Sequence, residues 1–232
     1  MWARKPVSTD EGIMDFIGDD IDQGLKDYIE CLEERARDVD GKPSIETMVL
    51  SNLCRAVSDN YFFIHGYHPR RVIDVGCAFG YILNKVRGSV KVGIDLSMEH
   101  LRRGKDFIRV RANAEDIPIV GNYFDIAICT DIFEHVLNPE KLISECYRIL
   151  SYGGLLLFAS PWKQDLSVYE TEEYKRNFKQ YKYKHLRSVN EDTINSYFAK
   201  FWKISEMEIE VTKRFHKIKP YSIKFLQFMK EV

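Results

Sequence analysis

Several things are missing from this 232-residue chain, and each absence narrows what it can be. Its five cysteines, Cys31, Cys54, Cys77, Cys129 and Cys146, are scattered with no Cys-x-x-Cys pair. That spacing argues against a zinc knuckle or disulfide framework and for small buried hydrophobes in a reducing compartment, so no metal is expected. Long apolar runs are also missing. The longest aliphatic block, Leu155 to Ala159, is far too short to span a bilayer, and Met1 to Pro6 lacks the apolar stretch of a signal peptide. A cytoplasmic protein with no membrane partner is the expectation. Neither Gly-x-Gly-x-x-Gly nor Gly-Lys-Ser/Thr occurs at the glycine-rich turn, which removes the dinucleotide fingerprint and the P-loop. Repeats and low-complexity linkers are absent as well.

What is present begins with Val72-Ile-Asp-Val-Gly-Cys-Ala-Phe-Gly80. Val72, Ile73 and Val75 have the β-branched density of a strand buried on both faces, while Ile82, Leu83 and Val86 repeat at helical spacing. Between them, Gly76 and Gly80 allow backbone angles or close approaches that a side chain would prevent. Such a strand–turn–helix aims free N–H groups at a ligand. The turn itself carries no Lys or Arg, and Asp74 stands beside it. Phosphate would be repelled there, whereas an ammonium or sulfonium would be welcome. Ala78 takes the place of a middle glycine, which requires a negative φ at that residue.

Strands then alternate with helices from Arg71 onward, the pattern of a doubly wound parallel sheet. Ser44 is placed to cap a helix carrying Val49, Leu53, Val57 and Tyr61, after an earlier one carrying Ile21, Leu25, Tyr28, Ile29 and Leu32. The first seventy residues thus read as an all-helical cap. Asn138-Pro139 starts a later helix that Gly153-Gly154 ends, and Asn190 starts another. Trp202 to Val211 and Tyr221 to Met229 read as two closing strands. Charge is uneven: residues 1–70 carry 8 Lys/Arg against 14 Asp/Glu, residues 71–162 carry 11 against 11, and residues 163–232 carry 15 against 10. The acidic start is expected to dock on the basic end, with an anionic substrate as the other explanation.

Asp74-x-Gly76-x-Ala78-x-Gly80 resembles motif I of the class I S-adenosylmethionine-dependent methyltransferases, and further blocks resemble that family in the right order between Arg71 and Pro161. Asp95, at the end of the second family strand and followed by Leu96, matches the acidic residue that binds both ribose hydroxyls. Arg111-Ala-Asn-Ala-Glu-Asp-Ile-Pro118 resembles the adenine loop: Asn113, with Asp116 as the alternative, would meet the adenine amino group. The Ala114 amide would meet a ring nitrogen and Ile117 would pack on the ring, beside Glu115. Cys77, together with Cys129 and Thr130 at the end of the fourth family strand, completes the implied cofactor-binding set. The small-molecule group acting in ubiquinone and menaquinone biosynthesis is the most similar. The resemblance implies an α/β fold, Rossmann-like and doubly wound, with a mainly parallel sheet, an antiparallel edge strand and the N-terminal helical cap. Residues 1–70 would form the cap and 71–232 the methyltransferase domain, with a substrate-region insertion at about 162–189.

Methyl transfer asks mainly for alignment, exclusion of water and removal of a proton where the acceptor needs it. Thr130-Asp-Ile-Phe-Glu-His135 follows the fourth family strand, where two substrates should meet. His135 is the candidate base, with Glu134 as alternative or orienting partner. Trp162, Tyr183, His185 and Arg187 are the candidate acceptor contacts, the last two from a His-x-Arg segment similar to one near the acceptor in small-molecule members. The mixture of Lys175, Arg176, Lys179, Lys182, Lys184 and Arg187 with Tyr174, Phe178, Tyr181 and Tyr183 suits a lid over a small acceptor. The alternative is an RNA-binding stretch of an RNA methyltransferase. A non-catalytic cofactor-binding module is the third reading. Asn/Asp-Pro-Pro-aromatic and Pro-Cys blocks after the fourth strand are absent, which argues against adenine, glutamine and C5-cytosine methylation.

Overall fold

The structure, a computed structural model, describes residues 1–18, 21–66, 71–177, 184–211 and 221–231. Nine strands form one sheet. In chain order they are β1 (Ser8–Asp10), β2 (Ile13–Asp15), β3 (Arg71–Val75), β4 (Val90–Asp95), β5 (Ile108–Arg111), β6 (Phe124–Thr130), β7 (Leu150–Trp162), β8 (Phe201–Val211) and β9 (Tyr221–Lys230). Their order across the sheet is β1-β2-β5-β4-β3-β6-β7-β9-β8. From β2 to β7 neighbours run parallel, while β9 is antiparallel to both β7 and β8. This is the expected doubly wound α/β arrangement with an antiparallel edge. Strand order reverses beside β3, so a crevice at the carboxyl ends of β3 and β6 follows from topology.

The helices are α1 (Gln23–Asp38), α2 (Ile45–His65), α3 (Tyr81–Lys85), α4 (Met98–Arg103), α5 (Pro139–Ile149), α6 (Glu172–Asn177) and α7 (Glu191–Tyr197), with a 3-10 turn at Leu166–Glu170. Local chemistry starts most of them. Ser44, Asn138 and Asn190 each accept a hydrogen bond from a backbone amide three residues on, and Asn190 forms a reciprocal capping box with Thr193. One face of the sheet buries Ile73, Val92, Phe124, Phe133, Phe158 and Phe228; the other packs Val72, Ile126, Leu157 and Phe225 under Leu50, Cys54 and Phe62 of α2.

Three expectations are corrected. The N-terminal segment is not all-helical: β1 and β2 turn back on Glu11 and Gly12, both at positive φ, and β2 adds to β5. Strands of three residues are too short to show alternation, so lateral docking decides them. The helix after the glycine turn stops at Lys85, before Gly88, and α5 stops at Ile149, before Gly153. In the second case the chain enters β7 directly, where Leu150 pairs with Phe124. Among the described residues, the acidic N-terminal segment also makes ion pairs with the middle of the chain, Asp15–Arg111, Glu11–Arg102 and Asp59–Arg87.

Candidate active site

A crevice of about 1000 Å³ lies at the carboxyl ends of the central strands. At one end the glycine turn is closed by the Gly80 amide donating to the Cys77 carbonyl at 2.7 Å, while the Gly76 and Cys77 amides both reach the Ile94 carbonyl. Ala78 sits at φ +45°, not at the negative φ that its side chain favours. The reason is its amide, which must point at Asp95 and donates to Oδ2 at 2.8 Å. Asp95 Oδ1 accepts from the Ser97 amide at 2.9 Å and lies 3.2 Å from His100 Nδ1. Three residues therefore orient one carboxylate toward the crevice. Asp74 is buried beside it. Burial, then the charge of Asp95, push the Asp74 carboxyl up to about 7, with the Leu83 amide opposing them. A cationic ligand would relieve both effects, so the donor set fits a sulfonium cofactor.

Of the candidate cofactor residues, Asp74, Gly76, Cys77, Ala78, Asp95, Leu96, Asn113, Ala114, Glu115 and Thr130 line the crevice. Others in the expected cofactor set do not. Gly80 lies behind the turn at φ +76°, where a Cβ would overlap the Phe107 ring. Asp116 points outward and pairs with Arg4 at 2.8 Å. Ile117 is a core residue whose amide donates to Glu145 at 2.7 Å. Cys129 is fully buried against Cys146, because alternate residues of a central strand face away from the crevice. Asn113 accepts from the Glu115 amide at 2.9 Å, which shapes the loop.

The other end is made by Ile132, Glu134, His135, Val136, Pro161, Gln164, Tyr169, Tyr174 and His185, roofed by Leu25, Tyr28, Leu32 and Arg35 of α1. His135 and His185 meet edge to face with ring centroids 4.7 Å apart, and Tyr169 stands 5.5 Å from His185. Burial, with the positive influence of His185 and Arg35, pushes His135 well below its usual 6.5. It is a neutral imidazole. Burial and then the charge of Asp131 push the Glu134 carboxyl up to about 8, which favours its protonated form at neutral pH. Its Oε2 accepts from the buried Ser160 hydroxyl at 3.0 Å. Glu134, His135 and His185 each offer a ligand atom within 4.8 Å of the others, a set that a divalent cation could occupy.

Two of the expected acceptor contacts have other work. Arg187 donates to the Phe133 carbonyl at 2.7 Å and to that of Val136, clamping the 132–137 turn instead of facing the crevice. Trp162 is buried behind the wall, with Lys224 4.9 Å above its ring. Tyr183 lies outside the described residues. The residues missed by the sequence reading are those of the roof and wall, notably Arg35, Gln164 and Tyr169. Only α1 left a signal, since Leu25, Tyr28 and Leu32 fall on one helical face. Glu115 joins the two ends: its Oε1 accepts from the Leu137 and Asn138 amides at 2.9 and 3.0 Å.

Known proteins agree with this geometry. Residues 73–158 match the family described as "Methyltransferase domain". The chain is 33% identical over 111 residues to a ubiquinone biosynthesis O-methyltransferase of Nitrosomonas europaea, covering 42% of this chain and 46% of that protein. A protein of the same name from Pseudomonas entomophila is 31% identical over 105 residues, or 39% and 44% of the two chains. The chain thus spans about half the length of the curated relatives it matches. Among solved structures, magnesium protoporphyrin IX methyltransferase from Synechocystis, with bound SAH, aligns with a TM-score of 0.61 at 14% identity over 90% of this chain and all of that one. The [4+2]-cyclase SpnF aligns at 0.59 and 16% identity, over 90% and 93% of the chains. Likeness at that level speaks for the fold alone, as a cyclase among the neighbours illustrates. The motif order, the sheet topology and the carboxylate-lined crevice thus agree with a methyltransferase domain over residues 73–158, and the crevice residues fit S-adenosylmethionine as cofactor.

Proposed function

We propose that the protein transfers a methyl group from S-adenosylmethionine to an acidic hydroxyl of a small acceptor. When bound, the cofactor supplies an electrophilic methyl on a positively charged sulfur. Asp95 would hold the ribose hydroxyls, with Asn113 and Ala114 at the adenine and Asp74 balancing positive charge. The observation that carries the reading is the neutral, buried His135 beside His185, at the crevice end opposite the ribose carboxylate. A base with a depressed pKa takes a proton only from an acidic donor, such as a phenol or enol, and the nearby positive side chains favour the resulting oxyanion. The names of the curated relatives support oxygen as the acceptor atom. Residues 1–70 would serve as cap and 71–232 as the methyltransferase domain, because α1 roofs the crevice.

Two observations favour a small acceptor over RNA. Lys175 and Lys184 of the basic stretch pair with Glu170, at 3.9 and 3.0 Å, so their charge is answered within the protein. The crevice walls are also aromatic and enclosed by α1. All five cysteines are free and buried, which supports a cytoplasmic setting, and among the described residues no helix is long and apolar enough to cross a membrane. The test is incubation with labelled methyl donor and a fractionated cell extract. Label should enter small phenolic or enolic molecules and fall by about 10²-fold or more with His135→Ala, which should leave cofactor affinity unchanged. Label in RNA, or full turnover by the variant, would defeat the proposal.

A further inference from the structure

Besides burying Ile29, Leu32 and Ala36, α1 makes polar contacts with both ends of α4. Glu33 accepts from Ser97 Oγ at 3.0 Å, from the Met98 amide at 2.6 Å and from the Glu99 amide at 3.0 Å. The two amides are among the donors that a helix leaves unsatisfied in its first turn. At the far end of α4, Arg103 donates to the Ala36 carbonyl at 2.7 Å and the Val39 carbonyl at 3.2 Å. The roof helix therefore clasps α4 at both ends. A helix of six residues is too short to hold its shape unaided, so its ends depend on such outside partners.

In its turn α4 holds Asp95, since the Ser97 amide and His100 both address Oδ1. Ser97 belongs to both sets of contacts: its hydroxyl goes to Glu33 and its amide to Asp95. We propose that Glu33 is a positioning residue that couples seating of the α1 roof to the orientation of the Asp95 carboxylate, so that opening the roof loosens the ribose subsite. The inference rests on the reading that Asp95 binds the ribose hydroxyls. A charge-assisted carboxylate with three donors suits this task better than apolar packing, because it fixes direction as well as distance. Closing the roof over the crevice would then complete the cofactor subsite, and cofactor release would require the latch to open.

Calorimetry with S-adenosylhomocysteine and its 2′,3′-dideoxyribose analogue tests the coupling in wild type, Glu33→Gln, Glu33→Ala and Asp95→Asn. Wild type should prefer the intact ribose by about tenfold or more, the scale of a hydrogen bond to a charged group. Glu33→Ala should shrink that preference toward unity, with Glu33→Gln between, while affinity for the dideoxy analogue stays as in wild type. The isosteric Gln variant carries the test if the Ala variant melts too low to assay. A full ribose preference in either folded variant overturns the coupling, as does an equal loss for both ligands, which is what a purely structural role gives. If Asp95→Asn abolishes the preference while the Glu33 variants keep it, only the coupling fails. If wild type shows no preference, the ribose reading fails and the coupling with it.

Discussion

The two ends of the crevice are built on different principles. The cofactor end consists of backbone and strand termini within one stretch, residues 74–115, where turns are closed by local amides and one carboxylate is fixed by three neighbours. The acceptor end is assembled from side chains of α1, the 132–137 turn, residues 161–174 and His185, held together by long-range contacts such as Arg187 to Phe133 and Leu186 to Glu134. A backbone-built subsite is rigid and tolerates little change. A side-chain-built one can alter its acceptor without disturbing the sheet, which is how a shared fold comes to serve many chemistries.

The comparison breaks most severely at Gly80. Gly80→Ala should force the Phe107 ring to move and strain a left-handed backbone, destabilising the protein by about 2–4 kcal/mol and abolishing cofactor binding, as urea titration and calorimetry would show. Asp95→Asn comes next, weakening cofactor by about 10- to 100-fold with the fold intact. Arg187→Gln, although outside the crevice, should release the carbonyls of the 132–137 turn. Acceptor KM and kcat should change together by about tenfold, with cofactor affinity preserved, since only the acceptor end depends on that clamp.

Smaller effects sharpen the contrast. Asp74 and Glu134 hold protons in the folded protein up to about pH 7 and 8, whereas their unfolded carboxyls lose them near 3.8 and 4.5. Their stabilising share is therefore complete at low pH and is lost as pH rises through those folded values. The ligand-free protein should melt at lower temperature at pH 9 than at pH 7, and Glu134→Gln should flatten that slope. His135 acts in the opposite sense: its folded pKa is depressed, so its share is present above 6.5 and lost as pH falls. The smallest effect belongs to Ala78→Gly. Relief of the positive φ should raise stability by about 1 kcal/mol and leave turnover unchanged.

Much of the cofactor end was legible in the residues themselves. Asp74 and Gly76 were read from the turn itself and Asp95 and Asn113 from the family resemblance, and all of them line the crevice. Helix starts at Ser44, Asn138 and Asn190 were equally plain, because a cap is a contact between residues three apart. The acceptor end was only half legible. His135 was found from its place after β6, but the depressed basicity that limits its acceptors comes from burial and from Arg35, a hundred residues away in the chain. Arg187 was assigned to the acceptor on a short His-x-Arg likeness, and its guanidinium turned out to serve carbonyls instead.

Periodicity, capping and glycine placement are short-range consequences of backbone geometry, and they determined the strand–helix alternation and the glycine turn of the cofactor end. The tertiary structure alone decided that β1 and β2 join the sheet, that Ala78 adopts a positive φ to serve Asp95, and that Glu33 reaches α4 across more than sixty residues. Those outcomes depend on which distant groups are left with unsatisfied hydrogen bonds once the core has formed. No local pattern encodes that, because the partners meet only after the chain has folded.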